Sequence, residues 1–157
     1  MSADNKFQEF AKTKRIWAVG SLHSSIDSFQ SIKKYILSNF RIGDKLVFLG
    51  NVIGFNDKSK EIITDVLSLR FNLMAKFNLE NKDVVFLRGA QEEMFSKLLQ
   101  LQIAPNPSEI INWIFSHGVD QTVMSYNFEP DQFRNIATQG TIQINKLTSR
   151  LNKKISE

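Results

Sequence analysis

The sequence predicts an α/β fold built on a parallel sheet, and three observations carry that prediction. Three short apolar runs, RIWAVG (15–20), KLVFLG (45–50) and DVVFLRG (83–89), each end in glycine. Each is followed by a polar loop and then by apolar residues three and four apart, the signature of one helix face. The runs are continuous rather than alternating, which suits strands buried on both faces. Strand, loop and helix repeated in this way give a parallel sheet with right-handed crossovers. In such sheets the functional crevice lies beyond the carboxyl ends of the strands, so the loops at 20–25, 50–57 and 89–93 are expected to share one edge.

The elements follow in order. A lead segment, 1–14, precedes the first run. After it, Phe29, Ile32, Ile36 and Phe40 mark a helix over about 26–40, with Ser25 as its expected N-cap. After the second run, Ile62, Val66, Leu69 and Leu73 form a stripe that Ile63 and Leu67 widen, giving a helix over about 58–77 with Asp57 as its expected N-cap. The third helix starts near Gln91 and carries Met94, Leu98 and Leu101. APNPS (104–108) breaks the pattern, and Pro107 suits the first turn of a new helix. SEIINWIFSHG, DQTVMSYN, PDQFRNIATQG and a segment from about Ile142 then read as helices. The expected division is an α/β part over 15–103 and a helical part over 107–156. Ile144, Leu147, Leu151 and Ile155 share a face of the last helix, as cover for the sheet or as a contact surface.

Composition bounds the function. The 157 residues are 42% hydrophobic and 23% charged, the balance of an ordinary globular chain and not of a disordered one. Cysteine is absent, which excludes disulfides and thiolate metal sites. No run approaches the roughly 20 apolar residues that cross a bilayer, and the start, MSADNKFQEFAKTKR, has no signal-peptide pattern, so a cytoplasmic protein without membrane contact is expected. The net charge is only +4, and Lys146, Arg150, Lys153 and Lys154 read as solvated surface and a basic last turn. No basic stripe interleaved with exposed aromatics is visible, which argues against nucleic acid as a partner.

The loops themselves read "VGSLHSSID", "LVFLGNVIGFNDKSKEII" and "VVFLRGAQEEM", with "WIFSHGVDQTVMSYN" later in the chain. In this order they resemble the motifs of the calcineurin-like metallophosphoesterases, in their bacterial serine/threonine protein phosphatase-type branch. That family reads G-D-x-H-G, G-D-x-x-D-R-G and G-N-H-E at successive strand ends. The resemblance spans about 15–150 and implies a metallophosphoesterase-like sheet. It also implies two adjacent divalent cations held by Asp, His, a bridging Asp, Asn and further His. The last two His ligands belong to a later half of the fold, and this sequence ends before it.

The departures from the motifs set the functional expectation. Ser21 stands at the first ligand position, and His23 alone keeps a ligand type. Asn51 replaces the bridging Asp, Ala90 the third-motif Asn, and Gln91 the His that protonates the leaving group. Gly54 replaces the Asp that orients that His, and Phe55 the phosphate-binding Arg. Arg88 is retained as a candidate phosphate contact. Hard divalent ions need carboxylate and other oxygen ligands to offset their charge. Without the ions, no bound water is acidified toward a pKa of ~7 to act as nucleophile. The expected metal and cofactor content is therefore none.

The remaining polar residues have plainer readings. His23 reads as a rim residue, His117 as a helix-end residue, and Glu92 and Glu93 as first-turn residues favoured by the helix dipole. Ser21 and Ser24 flank His23, but their spacing does not establish a nucleophile–base pair. The resulting expectation is a catalytically inactive metallophosphoesterase-like protein that works as a binding, scaffold or regulatory subunit, self-associated or bound to a protein partner. The alternatives are a residual metal-dependent phosphoesterase whose site is rebuilt from Asp27, Asp57, Glu92 or His117, and a phosphate or nucleotide binder that uses Arg88 and loop amides without turnover.

Overall fold

The computed structural model describes residues 9–10 and 12–156, so the lead segment 1–14 lies largely outside the described residues. Strands β1 (Arg15–Val19), β2 (Asp44–Phe48) and β3 (Val84–Phe86) form one parallel sheet in the order β1-β2-β3. Helices α1 (Ile26–Asn39) and α2 (Ser59–Phe77) connect them, and α3 (Ala90–Leu99) follows β3. The predicted α/β class and all three strand–helix units are present. Ser25 is the N-cap of α1, although its hydroxyl bonds Ser28 Oγ rather than a backbone N–H. Asp57 is not the cap of α2: Lys58 holds that position, one residue later than expected.

Strand order decides where the helices go. Two successive crossovers in the same direction and of the same hand place both connecting helices on one face of the sheet. Val19, Leu46, Phe48 and Val84 accordingly share a core with Phe29 and Ile36 of α1 and Ile62, Val66, Leu69 and Leu73 of α2. The opposite face carries the alternate residues. Ala18, Val47 and Val85 lie side by side there, with Ile16 beside Lys45. Beyond the strand ends, Leu49 follows β2, and Leu87 lines an apolar hollow with Ile63, Val66 and Leu67 of α2.

The expectation of burial on both faces fails on this side. Val47 in the central strand is buried, but Ile16 is 57% exposed and Ala18, beside Val47, is exposed as well. The physical reason is where the remaining helices pack. Helices α4 (Pro107–Ser116), α5 (Val119–Met124), α6 (Pro130–Ile136) and α7 (Thr141–Ser156) build a separate core with α3. Met94, Phe95 and Leu98 of α3 belong to this second core, so the packing boundary falls before α3 and not at residue 103. Ile144, Leu147 and Leu151 are buried inside it, and Ile155 packs against its rim. The terminal stripe therefore covers the helical core: it neither covers the sheet nor remains free as a contact surface.

One polar cluster ties β1 to β2. The buried carboxylate of Asp44 accepts hydrogen bonds from Arg15 Nε (3.0 Å) and Nη2 (2.7 Å), Trp17 Nε1 (3.0 Å) and the Arg41 N–H (2.9 Å). Burial alone would push this carboxyl up, but the donors outweigh it and hold the pKa at about 2. The ordinary carboxyl titrates near ~3.9, so the stabilisation is complete above that pH and is lost as pH falls through about 2. Asp44→Asn is expected to cost about 2 kcal/mol at neutral pH, with the difference from wild type shrinking between pH ~4 and ~2. Urea unfolding across that range checks this, and a pH-independent difference would contradict it.

Candidate functional site

The three loops gather at the carboxyl edge of the sheet, as expected. They are joined through Asn51, whose backbone lies in the left-handed region at φ 53°. Its carbonyl accepts the N–H groups of Leu22 and His23 (both 2.9 Å) from the first loop. Its side-chain Nδ2 donates to Ser21 Oγ (3.2 Å), and its Oδ1 accepts the Gln91 N–H (3.0 Å) from the third loop. An asparagine can do this because it carries both a donor and an acceptor. An aspartate would lose the bond to Ser21 unless a hydroxyl proton turned to meet it. It would also place a second negative charge beside Glu92.

Glu92 supplies the anion at this edge. Its carboxylate accepts the N–H groups of Asn51 (2.8 Å), Val52 (2.8 Å), Ile53 (3.3 Å) and Gly89 (2.9 Å). Successive backbone amides of this kind form a concavity that binds anions. Here a carboxylate three residues along from Gly89 fills it. The sequence reading of Glu92 as a dipole-favoured residue places it correctly in the first turn of α3 but misses this role. The signal was available: an acidic residue at the third helical position reaches back to the capping residue's N–H.

Two glycines show how tightly the edge is closed. Gly50 has φ +94°, and a Cβ there would lie 2.3 Å from the backbone nitrogen of Gly89. Gly54 also has φ +94°, and a Cβ there would lie 2.2 Å from Gln91 Oε1. Positions 54 and 91 are thus physically coupled, since the Gln91 side chain occupies the space that any side chain at 54 would need. Gln91 is 3% exposed, and its Nε2 donates to the His117 carbonyl (2.8 Å) while Oε1 has no protein partner.

The other candidate residues are distributed as follows. His23 sits at φ 47° with a buried Nδ1 that has no protein partner, its ring edge-on to Phe55 at 5.0 Å. No hydrogen bond joins it to a serine: Ser21 meets Asn51, and buried Ser24 meets Ser59 Oγ at 2.7 Å. Phe55 is 58% exposed at φ 58°, with its ring over Gly118 and its N–H donating to the Gly118 carbonyl (3.0 Å). Ala90 opens α3 and is exposed. Arg88 is exposed and paired with Glu93 at 3.1 Å. His117 caps α4, its Nδ1 2.7 Å from the Trp113 carbonyl, as the helix-end reading expects. Asp27 and Asp57 are exposed, and among the described residues no three His, Cys, Asp or Glu side chains come together where they could hold a metal ion.

The edge can therefore orient backbone and bury polar groups, but it presents no paired acid and base. Set against known protein families, curated proteins and solved structures, the chain matches none of them. Among the described residues no helix is long and apolar enough to cross a membrane.

Proposed function

We propose that this chain is a catalytically inactive, metallophosphoesterase-like protein whose work is binding, as a subunit, scaffold or regulator. The family assignment rests on the order of the loop motifs in the sequence. One observation carries the functional reading: Glu92, Asn51 and Ser21 at the former catalytic edge spend their polar groups on the edge itself, leaving His23 Nδ1 and Gln91 Oε1 buried without a protein partner. Glu92 holds four loop amides, Asn51 bridges three loops, and Gln91 fills the space beside Gly54. A phosphate or a metal pair entering this edge would have to displace these bonds before gaining its own. Constellations that act as a unit are not rebuilt piecemeal. Ser21→Asp with Asn51→Asp is therefore expected to leave phosphatase activity at background, as in wild type. Turnover of an aryl phosphate with added manganese, surviving further purification, would overturn the inactive reading.

The binding half of the proposal rests on the second face of the sheet. Ile16 on that face, and Leu49 and Leu87 just beyond β2 and β3, are large apolar residues exposed to solvent, and covering such side chains favours association by about 1.5–3 kcal/mol each when burial is complete. Self-association or a protein partner is the expected cover. At micromolar concentration the protein should sediment above its monomer mass or bind hydrophobic dye, and Leu49→Lys with Leu87→Lys should abolish both. A compact wild-type monomer that binds no dye would remove the case for an interface there.

A further inference from the structure

Apart from the loop edge, α7 carries a second feature that the sheet does not explain. Its buried side holds Ile144, Leu147 and Leu151, while Lys146, Arg150 and Lys153 are exposed. A hollow of about 380 Å³ opens between the last turns of α7 and the turn after α5. Tyr126 and Phe128 form its floor, 4% and 7% exposed, and Asn127 and Gln132 add side-chain amides. Arg150 and Lys153 form its basic wall, with the Arg150 guanidinium 5.9 Å from the Phe128 ring centroid. Lys154 lines the hollow too but has an interaction of its own within the chain.

The charge in this hollow exceeds what the helix requires. A helix C-terminus carries about half a negative charge, whereas Arg150 and Lys153 bring two positive ones. Among the described residues, neither has an ion-pair partner and no carboxylate lines the hollow. Two unpaired cations, one with a planar fork and one a compact point charge, match a dianionic phosphate. The amides of Asn127 and Gln132 can donate to its remaining oxygens. Ligand pockets span roughly 300–1,000 Å³, and this hollow falls at the lower end of that range. The guanidinium poised at the Phe128 ring offers a flat face on which a planar group can stack.

We propose that this hollow binds a small phosphomonoester of nucleotide size, a site independent of the fate of the loop edge. The test is a titration of isotopically labelled full chain with AMP, inorganic phosphate and adenosine, followed by amide chemical shifts. AMP should shift the amides of residues 126–128, 132 and 150–153 saturably. Phosphate should shift the same amides more weakly, and adenosine should leave them in place. Arg150→Gln with Lys153→Gln should weaken AMP binding about tenfold or more (about 1.4 kcal/mol) with the unfolding midpoint preserved, because both side chains are exposed. Undiminished binding in that variant, or no shifts with AMP, would overturn the proposal. So would a short single-stranded oligonucleotide that binds more tightly than AMP and also shifts Lys146, since it would make the helix a polyanion surface instead.

Discussion

Glu92→Ala is expected to lower the free energy of unfolding by about 3–4 kcal/mol, a large fraction of a small domain's total. The carboxylate is held by four backbone donors, three of them at 2.8–2.9 Å, drawn from two loops. A hydrogen bond to a charged group contributes about 1.5–3 kcal/mol. The sum over four would overstate the loss, because the residue is only half-buried and water can reach some of the freed amides. Glu92→Gln keeps one acceptor oxygen and is expected to lose roughly half as much. A second readout separates an anion site from simple packing. With the tethered carboxylate gone, added formate should raise the unfolding midpoint of Glu92→Ala and leave wild type unmoved, since a ligand that binds only the folded state stabilises it. A loss below about 1 kcal/mol, or equal formate effects on both proteins, would show that the loops close without Glu92.

What the sequence disclosed and what it hid follow from the range of the interactions involved. Periodicity placed α1 and α2 within a residue or two, because Phe29, Ile36, Ile62, Val66, Leu69 and Leu73 report local helix geometry against one surface. The same runs WAV, VFL and VVF overstated the burial of the sheet. Apolar residues at successive positions show that both faces are hydrophobic, not that a cover exists within the chain. That depends on strand order, which no local pattern encodes. Likewise Met94 and Leu98 signal a helix but not that it packs with α7 rather than with the sheet. At the site, the sequence shows which residues depart from the motifs the loops resemble. It does not show what those residues bond instead, because the bonds of Asn51 to Ser21 and Gln91 join residues 30 and 40 positions apart. The α7 hollow likewise joins Arg150 and Lys153, which read in the sequence as solvated surface, to Tyr126, Asn127 and Phe128 from a separate segment.

The glycines that end β1 and β2 look equivalent in the sequence, and the structure makes their substitution by alanine very different. At Gly20 a Cβ would meet nothing within 4 Å. Gly20→Ala is therefore expected to stay within about 0.5 kcal/mol of wild type, or to gain slightly by restricting the unfolded chain. At Gly50 the added Cβ would fall 2.3 Å from Gly89 N and 2.6 Å from Gly89 Cα, at φ +94°. The left-handed region costs an L-residue about 1–2 kcal/mol by itself. The clash adds to that cost, and neither backbone can move aside freely, because Gly89 N–H is bonded to Glu92 and Leu87 N–H to the Phe48 carbonyl. Moving them apart would loosen the amides held by the carboxylate, so the expected loss for Gly50→Ala is about 4 kcal/mol or failure to fold. Parallel urea unfolding of the two alanine variants measures the contrast. Similar stabilities would mean that the second and third loops do not approach closely, and the self-bonded edge on which the inactive reading depends would go with them.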